Sequence, residues 1–417
     1  MHIIRISLSG FRNLVKQDIS FPERVTAIVG DNGQGKTNLL ESIYLLSQAR
    51  SFRTSKQVEL IAWNEKPRSY SNLDLGDTSH IQDPFSSSES DKCTVSAKII
   101  ATDGEKEIKY DITPAGRNVY INAKRISNAS SFYGQVRVVE FGAHDLEIIK
   151  GAPSCRRRFM DRAIAMLDRT YVERAVAYSR ALKSRNAIIR ENRENFSKSK
   201  LDEFVELLSV WNTALAQHGH FIARMRFDFI QGISQRFKRY YQILAGSSDN
   251  ETEIRRERAS VRYCSDFLDN SGVIKSQDDI EMVISQAIKS DFAKSTTSVG
   301  IQRDDLEIDI DVGSGEKSAR HCASQGQTRS LALALKLATA DFLTDNSEGD
   351  APIFLLDDIE SELDMRRKKA LFKLIAHSKS QFIITLPYLL KDLENIVPHL
   401  AILQITNGLA EVRQTTN

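Results

Sequence analysis

The chain is poor in cysteine, with four in 417 residues at positions 93, 155, 264 and 322 and no C-x-x-C pair. That spacing excludes a zinc ribbon or a disulfide framework and reads as reduced thiols in a cytoplasmic protein. Proline is scarce too, eight in all, and between residues 153 and 244 only Pro153 occurs. Long helices can therefore run uninterrupted there. No apolar run approaches the ~18 residues of a membrane span, and Met1–Leu8 alternates like a strand rather than opening as a leader. Neither export nor a membrane is expected. Neither sign of charge dominates, since the net charge is only +2. With 41% hydrophobic and 27% charged residues the composition is that of a globular protein able to build a core.

Residues 1–30 alternate apolar and polar, and Val25–Val29 is a β-branched strand leading into a glycine-rich stretch. Leu39, Leu40, Ile43, Tyr44 and Leu46 then recur at helical spacing. Residues 64–92 are rich in Ser, Asp and Asn and read as a long surface insertion. Short strands follow over 93–126, a helical block over 153–244, and a polar linker over 246–257. Further on, 280–292 reads as helix, 306–312 as strand, 325–343 as a strongly periodic helix, 353–356 as strand, 365–377 as helix and 382–385 as strand. Three segments are expected: 1–150 as the first part of an α/β head, 151–290 as a helical basic domain, and 291–417 as the second part of the head.

Gly30-Asp31-Asn32-Gly33-Gln34-Gly35-Lys36-Thr37 fits the P-loop pattern, in the strand–loop–helix context that pattern needs. Inward-pointing amides and the helix N-terminus make an anion cradle. Lys36 places a charge on the β- and γ-phosphates, and the Thr37 hydroxyl suits Mg²⁺. More than 300 residues later, Ile353–Leu356 ends in Asp357 and Asp358. Asp357 is placed to meet the metal and Asp358 to orient or deprotonate water. ATP and Mg²⁺ are thus the expected cofactors, with Lys36 and Asp358 in catalytic roles. The chain must fold its ends together to assemble this site.

Ser324-Gln325-Gly326-Gln327 opens the 325–343 helix, where a Ser hydroxyl and exposed amides form a second anion-binding device. Residues 151–200 carry 13 Lys+Arg against 5 Asp+Glu, far more positive than the chain as a whole. Arg156, Arg157, Arg158, Arg180, Lys183 and Arg185 are the leading candidates for a phosphate-neutralising stripe on DNA; the alternative is a solvated, internally paired helical face. Arg12, ahead of the P-loop, either approaches a phosphate or merely solvates a strand edge.

These stretches together resemble the RecF family, the recombination-repair ATPases of the SMC-like, ABC-type branch. The likeness also rests on Leu8–Leu14, Arg50-Ser51-Phe52-Arg53, Lys150–Pro153 with Arg156–Phe159, Thr296–Gly300, and Ser361-Glu362-Leu363-Asp364. Departures are Ile301-Gln302-Arg303 where Pro-His-Arg is usual, and Ala143-His144-Asp145 where Pro-Glu-Asp is usual. The resemblance implies an ABC-type P-loop head built from both chain ends with a helical domain inserted. It implies a homodimer closed by ATP, the P-loop of one copy facing Ser324, Gly326 and Gln327 of the other. It implies slow, DNA-stimulated ATP hydrolysis, binding to single strands and single/double-strand junctions, and cooperation with RecO and RecR in loading RecA at gaps. Replication restart and SOS induction would follow. Competing readings are a chromosome-structural SMC head, which would need sustained heptads, and the ATPase subunit of a nuclease, for which few residues remain.

Overall fold

A computed structural model describes residues 1–54, 56–62, 92–194, 196, 201–246, 257–313 and 315–415. The expected insertion at 64–92 lies, but for Lys92, outside these residues. Two compact units emerge, one from 1–128, 352–360 and 375–417, the other from 129–351 and 361–374. They do not coincide with the three segments expected from the sequence.

The first unit carries two sheets. One is antiparallel, in the order Gln17–Ser20, His2–Ser9, Cys93–Ala101, Gly104–Thr113, Gly116–Ile121, Lys124–Arg125. Its alternation is that of a sheet buried on one face, with Ile3, Ile6 and Leu8 inward and Arg5 outward. The other sheet places Val25–Val29 between Leu400–Thr406 and Phe382–Leu386, parallel to both, and Ile353–Leu356 runs parallel beyond Phe382–Leu386. The C-terminal hairpin closes one side with Leu409–Thr415 antiparallel to Leu400–Thr406. Val25–Val29, Ile353–Leu356 and Phe382–Leu386 are buried at every position, which explains their continuous apolar runs. Because the strands are parallel and in register, their C-terminal ends fall together. In open α/β sheets that is where ligands bind.

The second unit is mostly helical. Its long elements are Pro153–Ala165, Arg169–Glu191, Leu201–Ala245 and Gln325–Asp345, the third being 45 residues long. The absence of proline from this stretch permits that length. Ile189, Phe204, Leu208, Ile288 and Phe292 form one core cluster, and Phe196 stacks on Phe292 at 4.3 Å between centroids. The helix expected over 280–292 is two, Gln277–Gln286 and Ile288–Lys294. A strand the sequence reading missed, Arg258–Cys264, pairs antiparallel with Asp305–Asp311. Its alternate arginines point outward while Ala259, Val261 and Tyr263 are buried, so the charge concealed the pattern. Among the described residues no helix is long and apolar enough to cross a membrane.

Candidate nucleotide site and signature helix

The P-loop lies between the end of Val25–Val29 and the helix Lys36–Gln48. Gly35 caps that helix in the left-handed region, at φ 111°, with no side-chain cap and no acid in the first turn. The first amides of the helix are therefore left for an anion. Gly30 has a different reason to be glycine, because a Cβ there would collide with the carbonyl of Ile405 on the adjacent strand. Gln34, expected as a phosphate-loop ligand, uses its backbone and side-chain oxygens on the C-terminal hairpin turn. Its carbonyl accepts from Gly408 N–H at 3.1 Å and its Oε1 from Asn407 N–H. Lys36 Nζ donates to the carbonyls of Gly30 at 2.5 Å and Asp31 at 2.9 Å. Burial lowers its pKa, opposed by the charges of Asp358, Asp357 and Asp31.

The acidic strand end meets this loop. Thr37 Oγ1 donates to Asp357 Oδ1 at 3.0 Å, so the two oxygens proposed for a metal are neighbours. Thr385, at the end of the adjacent parallel strand, donates to the same carboxylate oxygen at 2.7 Å and accepts the Asp358 N–H at 2.8 Å. One hydroxyl thus fixes both acids. Asp358 sits at φ 50°, a left-handed conformation uncommon for aspartate, and is exposed. A cleft of about 320 Å³ collects Arg12, Lys36, Arg53, Thr37, Asp357 and Asp358.

Arg12 is not a solvated strand edge. Its guanidinium is clamped bidentately by Glu41, at 2.6 and 2.8 Å, and Glu41 is wholly buried on the P-loop helix. Ser51 also donates to Glu41, while Arg53 donates to Asn38 at 2.7 Å. A buried carboxylate needs such partners, and in return it aims a cation at the cleft. Glu41 and Arg53 escaped the sequence reading as site residues. An acid mid-helix four positions after Thr37 was the available signal. The donor set suits a nucleoside triphosphate with its metal: uncapped amides and three cations for phosphate, the Asp357 carboxylate and a threonine hydroxyl for Mg²⁺, and a second acid, Asp358, for water.

Ser324 and Gln327 belong to the second unit. They form a capping box at the start of Gln325–Asp345: Ser324 Oγ accepts from Gln327 N–H at 3.3 Å, and Gln327 Oε1 accepts from Ser324 N–H at 2.9 Å. Ser324 is exposed. The preceding turn is held by Lys150, whose Nζ donates to the carbonyls of Ala319, Arg320 and Ala323 at 2.8–3.1 Å. Farther along the same helix, Lys336 pairs with Asp145 at 2.7 Å.

The RecF/RecN/SMC N-terminal domain family matches residues 2–388 of this chain. The DNA replication and repair protein RecF of Lactococcus lactis subsp. lactis is 30% identical over 414 residues, covering 99% of this chain and 100% of that protein. The chain belongs to the RecF family. A solved structure of the recombination mediator protein RecF-ATP in the RecFOR pathway has a TM-score of 0.79 and 27% identity, covering 99% of this chain and 98% of that one. An Smc head domain from Pyrococcus furiosus, solved with an extended coiled coil and bound to the C-terminal domain of ScpA, is 19% identical. Its TM-score is 0.53 over 99% of this chain and 96% of that one, and it supports the fold alone. The fold is therefore that of an ABC-type, SMC-like ATPase head.

Within this RecF-family chain the basic helices require a correction. Arg185 is fully buried, bound to Asp291 and Thr297 at 2.7 and 2.8 Å and to Asn212 at 2.8 Å. Arg156 is 4% exposed and clamps Asp305 bidentately at 2.6 and 2.8 Å. Arg157 is half-buried and donates to the Asp304 carbonyl at 2.8 Å. Arg156 and Arg185 therefore hold the helical core and present nothing to DNA. Arg158, Arg180 and Lys183 are exposed, as are Arg169, Arg190 and Arg193. A linear charge count cannot separate these groups, because the helical period of 3.6 interleaves them.

The two departures from the family pattern have local explanations. Gln302 accepts from the Tyr178 hydroxyl at 2.5 Å and donates to the Val299 carbonyl at 2.6 Å. His144 lies 3.0 Å from Glu140, and both belong to the segment paired with Lys336. Burial works against protonation of His144, but the carboxylates of Glu140 and Asp145 outweigh it and raise the pKa. Burial and the Asp145 charge likewise raise that of Glu140. The folded pair thus holds its proton more tightly than the unfolded chain does. The histidine's share of this stabilisation is fully present below its unfolded pKa of about 6.5 and is lost as pH rises through the raised folded value. We predict that His144→Gln flattens this decline in a series of urea unfolding curves across neutral pH. An unchanged pH profile would contradict the assignment.

Proposed function

We propose that this chain is an ATP-driven DNA clamp of recombinational repair. Two copies close when the nucleotide held by the P-loop of one is covered by Ser324, Gly326 and Gln327 of the other. The observation that carries this reading is a division of labour. The cleft lined by Lys36, Thr37, Asp357 and Asp358 draws all its residues from the first unit, whereas the exposed Ser324 cap opens a helix of the second. The solved RecF-ATP structure supports the nucleotide half of this reading. Asp31, Asn32, Gly33, Gln34 and Gly35 would wrap the phosphates by their backbone, with Gly30 admitting the neighbouring strand. Lys36 would leave its loop carbonyls for the phosphates, with Arg12 beside it. Mg²⁺, held by Thr37 and Asp357, would neutralise developing phosphate charge. Asp358 would orient water and accept its proton, its backbone fixed by Thr385. Hydrolysis would be slow and DNA-stimulated, serving to reopen the dimer.

The DNA partner is sequence-independent: single strands and junctions, met through phosphate by the exposed face of Arg169–Glu191. Work with RecO and RecR to load RecA at gaps, and support of replication restart and the SOS response, follow from family membership. An SMC-type structural role is disfavoured because the longest helix among the described residues, Leu201–Ala245, has 45 residues, too few for a coiled-coil arm of many heptads. The nuclease alternative lacks a second catalytic cluster among the described residues apart from the Glu140, His144 and Asp145 group, which Lys336 already engages.

Three outcomes are expected. Sedimentation with saturating ATP and Mg²⁺ should show a dimer that both Lys36→Met and Ser324→Arg abolish; a wild-type monomer would overturn the clamp. Neutralising Arg180, Lys183 and Arg190 together should flatten the salt dependence of DNA binding by about two to three phosphate contacts while leaving unfolding unchanged. By contrast Arg185→Met should cost about 3–5 kcal/mol of stability, since it strands a buried carboxylate. Equal DNA affinity in the triple variant would reject this face.

A further inference from the structure

Glu257 is half-buried, immediately ahead of Arg258–Cys264, and neither end of the nucleotide machinery contains it. Among the described residues its carboxylate has two hydrogen-bond partners. Oε2 accepts the hydroxyl of Tyr241 at 2.7 Å, and Oε1 accepts Gln327 Nε2 at 3.0 Å. Tyr241 is fully buried one turn from the end of the 45-residue helix, and burial with the hydrogen bond to Glu257 raises its pKa, so it stays a neutral donor. Gln327 is the last residue of the Ser324–Gln327 cap.

A carboxylate can only accept, so Glu257 decides which way the Gln327 amide faces. With the NH₂ turned to Glu257, the amide oxygen is the atom left for Ser324 N–H, as found. Gln327 N–H in turn occupies one acceptor position on the exposed Ser324 Oγ, and the hydroxyl keeps its own hydrogen to donate to an outside acceptor. The neighbouring Gly326 is confined as well: a Cβ there would lie 2.8 Å from Arg367 Nη1, and Arg367 is ion-paired with Asp364. The orientation of the Gln327 amide, and with it the cap, is thus set by groups behind it.

We propose that Glu257 is a positioning residue for the signature cap and, through Tyr241, ties that cap to the end of the long helix against which the basic Arg169–Glu191 helix packs. This rests on the clamp reading, because the cap acts only on a partner's nucleotide. Displacement of the long helix by DNA would reach Ser324 through three hydrogen bonds in series, Tyr241 to Glu257, Glu257 to Gln327 and Gln327 to Ser324. The cap would then respond to DNA without any contact between DNA and nucleotide.

The test uses the full chain with Glu257→Ala, Tyr241→Phe and the double variant, with ATP, Mg²⁺ and a gapped duplex as probes. Glu257→Ala should raise the concentration needed for ATP-dependent dimerisation on the order of tenfold, within the range usual for coupled sites. Nucleotide affinity of the monomer should hold, since the P-loop lies in the other unit, a split that a general loss of structure would not produce. Tyr241→Phe should keep most dimerisation but lower the stimulation of ATP turnover by gapped DNA, and the double variant should be no worse than Glu257→Ala alone. A wild type that dimerises beside a Glu257→Ala chain that does so equally well overturns this inference alone. A wild type that never dimerises overturns the clamp reading and this inference with it. Tyr241→Phe, which removes one oxygen, decides the question if Glu257→Ala does not fold.

Discussion

The structure depends on the parallel register that Val25–Val29 shares with Phe382–Leu386 and Leu400–Thr406. These pairings join segments more than 300 residues apart in the chain. Closing so long a loop costs little more than closing a short one, about 0.6 kcal/mol for each doubling of length. A single fully buried Ile, Leu or Phe offsets several doublings, at about 1.5–3 kcal/mol each. Ile28, Phe354, Ile383 and Ile384 are all wholly buried here. Burial therefore wins over chain entropy, and the intervening sequence is free to become a second unit.

From that register the site follows. Thr385 stands two positions along from Ile383, on the strand between the P-loop strand and the acidic strand, with its hydroxyl between Asp357 and Asp358. A short, neutral hydroxyl fixes both acids without adding a titrating group. On the P-loop side the buried Glu41 does comparable work for Arg12, and the Asn407-Gly408 turn for Gln34. Each functional group is thus held by a neighbour from a distant part of the sequence.

How far the sequence could be read divides along that line. The P-loop, the Asp357-Asp358 strand end and the Ser324 cap were visible because their chemistry is local: glycines, an apolar run and a helix start within a few residues. The parallel strands were visible because burial on both faces leaves an unbroken apolar run. Arg258–Cys264 was missed because exposed arginines dilute its alternation. Two of the DNA candidates, Arg156 and Arg185, are withdrawn because they are neutralised by Asp305 and Asp291, which lie more than 100 residues away. Partners at that separation leave no mark in a local charge count. Glu257 was legible only as part of a polar linker, and its meaning comes entirely from Tyr241 and Gln327.

The central claim is that a working site draws one half from each of two chains. The most direct measurement mixes two inactive variants, Lys36→Met and Ser324→Arg, and records ATP turnover with gapped DNA. Each alone should be inactive. Mixed, they can form a dimer with one intact composite site, the P-loop from one chain and the cap from the other, and turnover should return to about half that of the wild type on heterodimer formation. If the mixture stays as inactive as its components while both variants remain folded, the two-chain site is wrong.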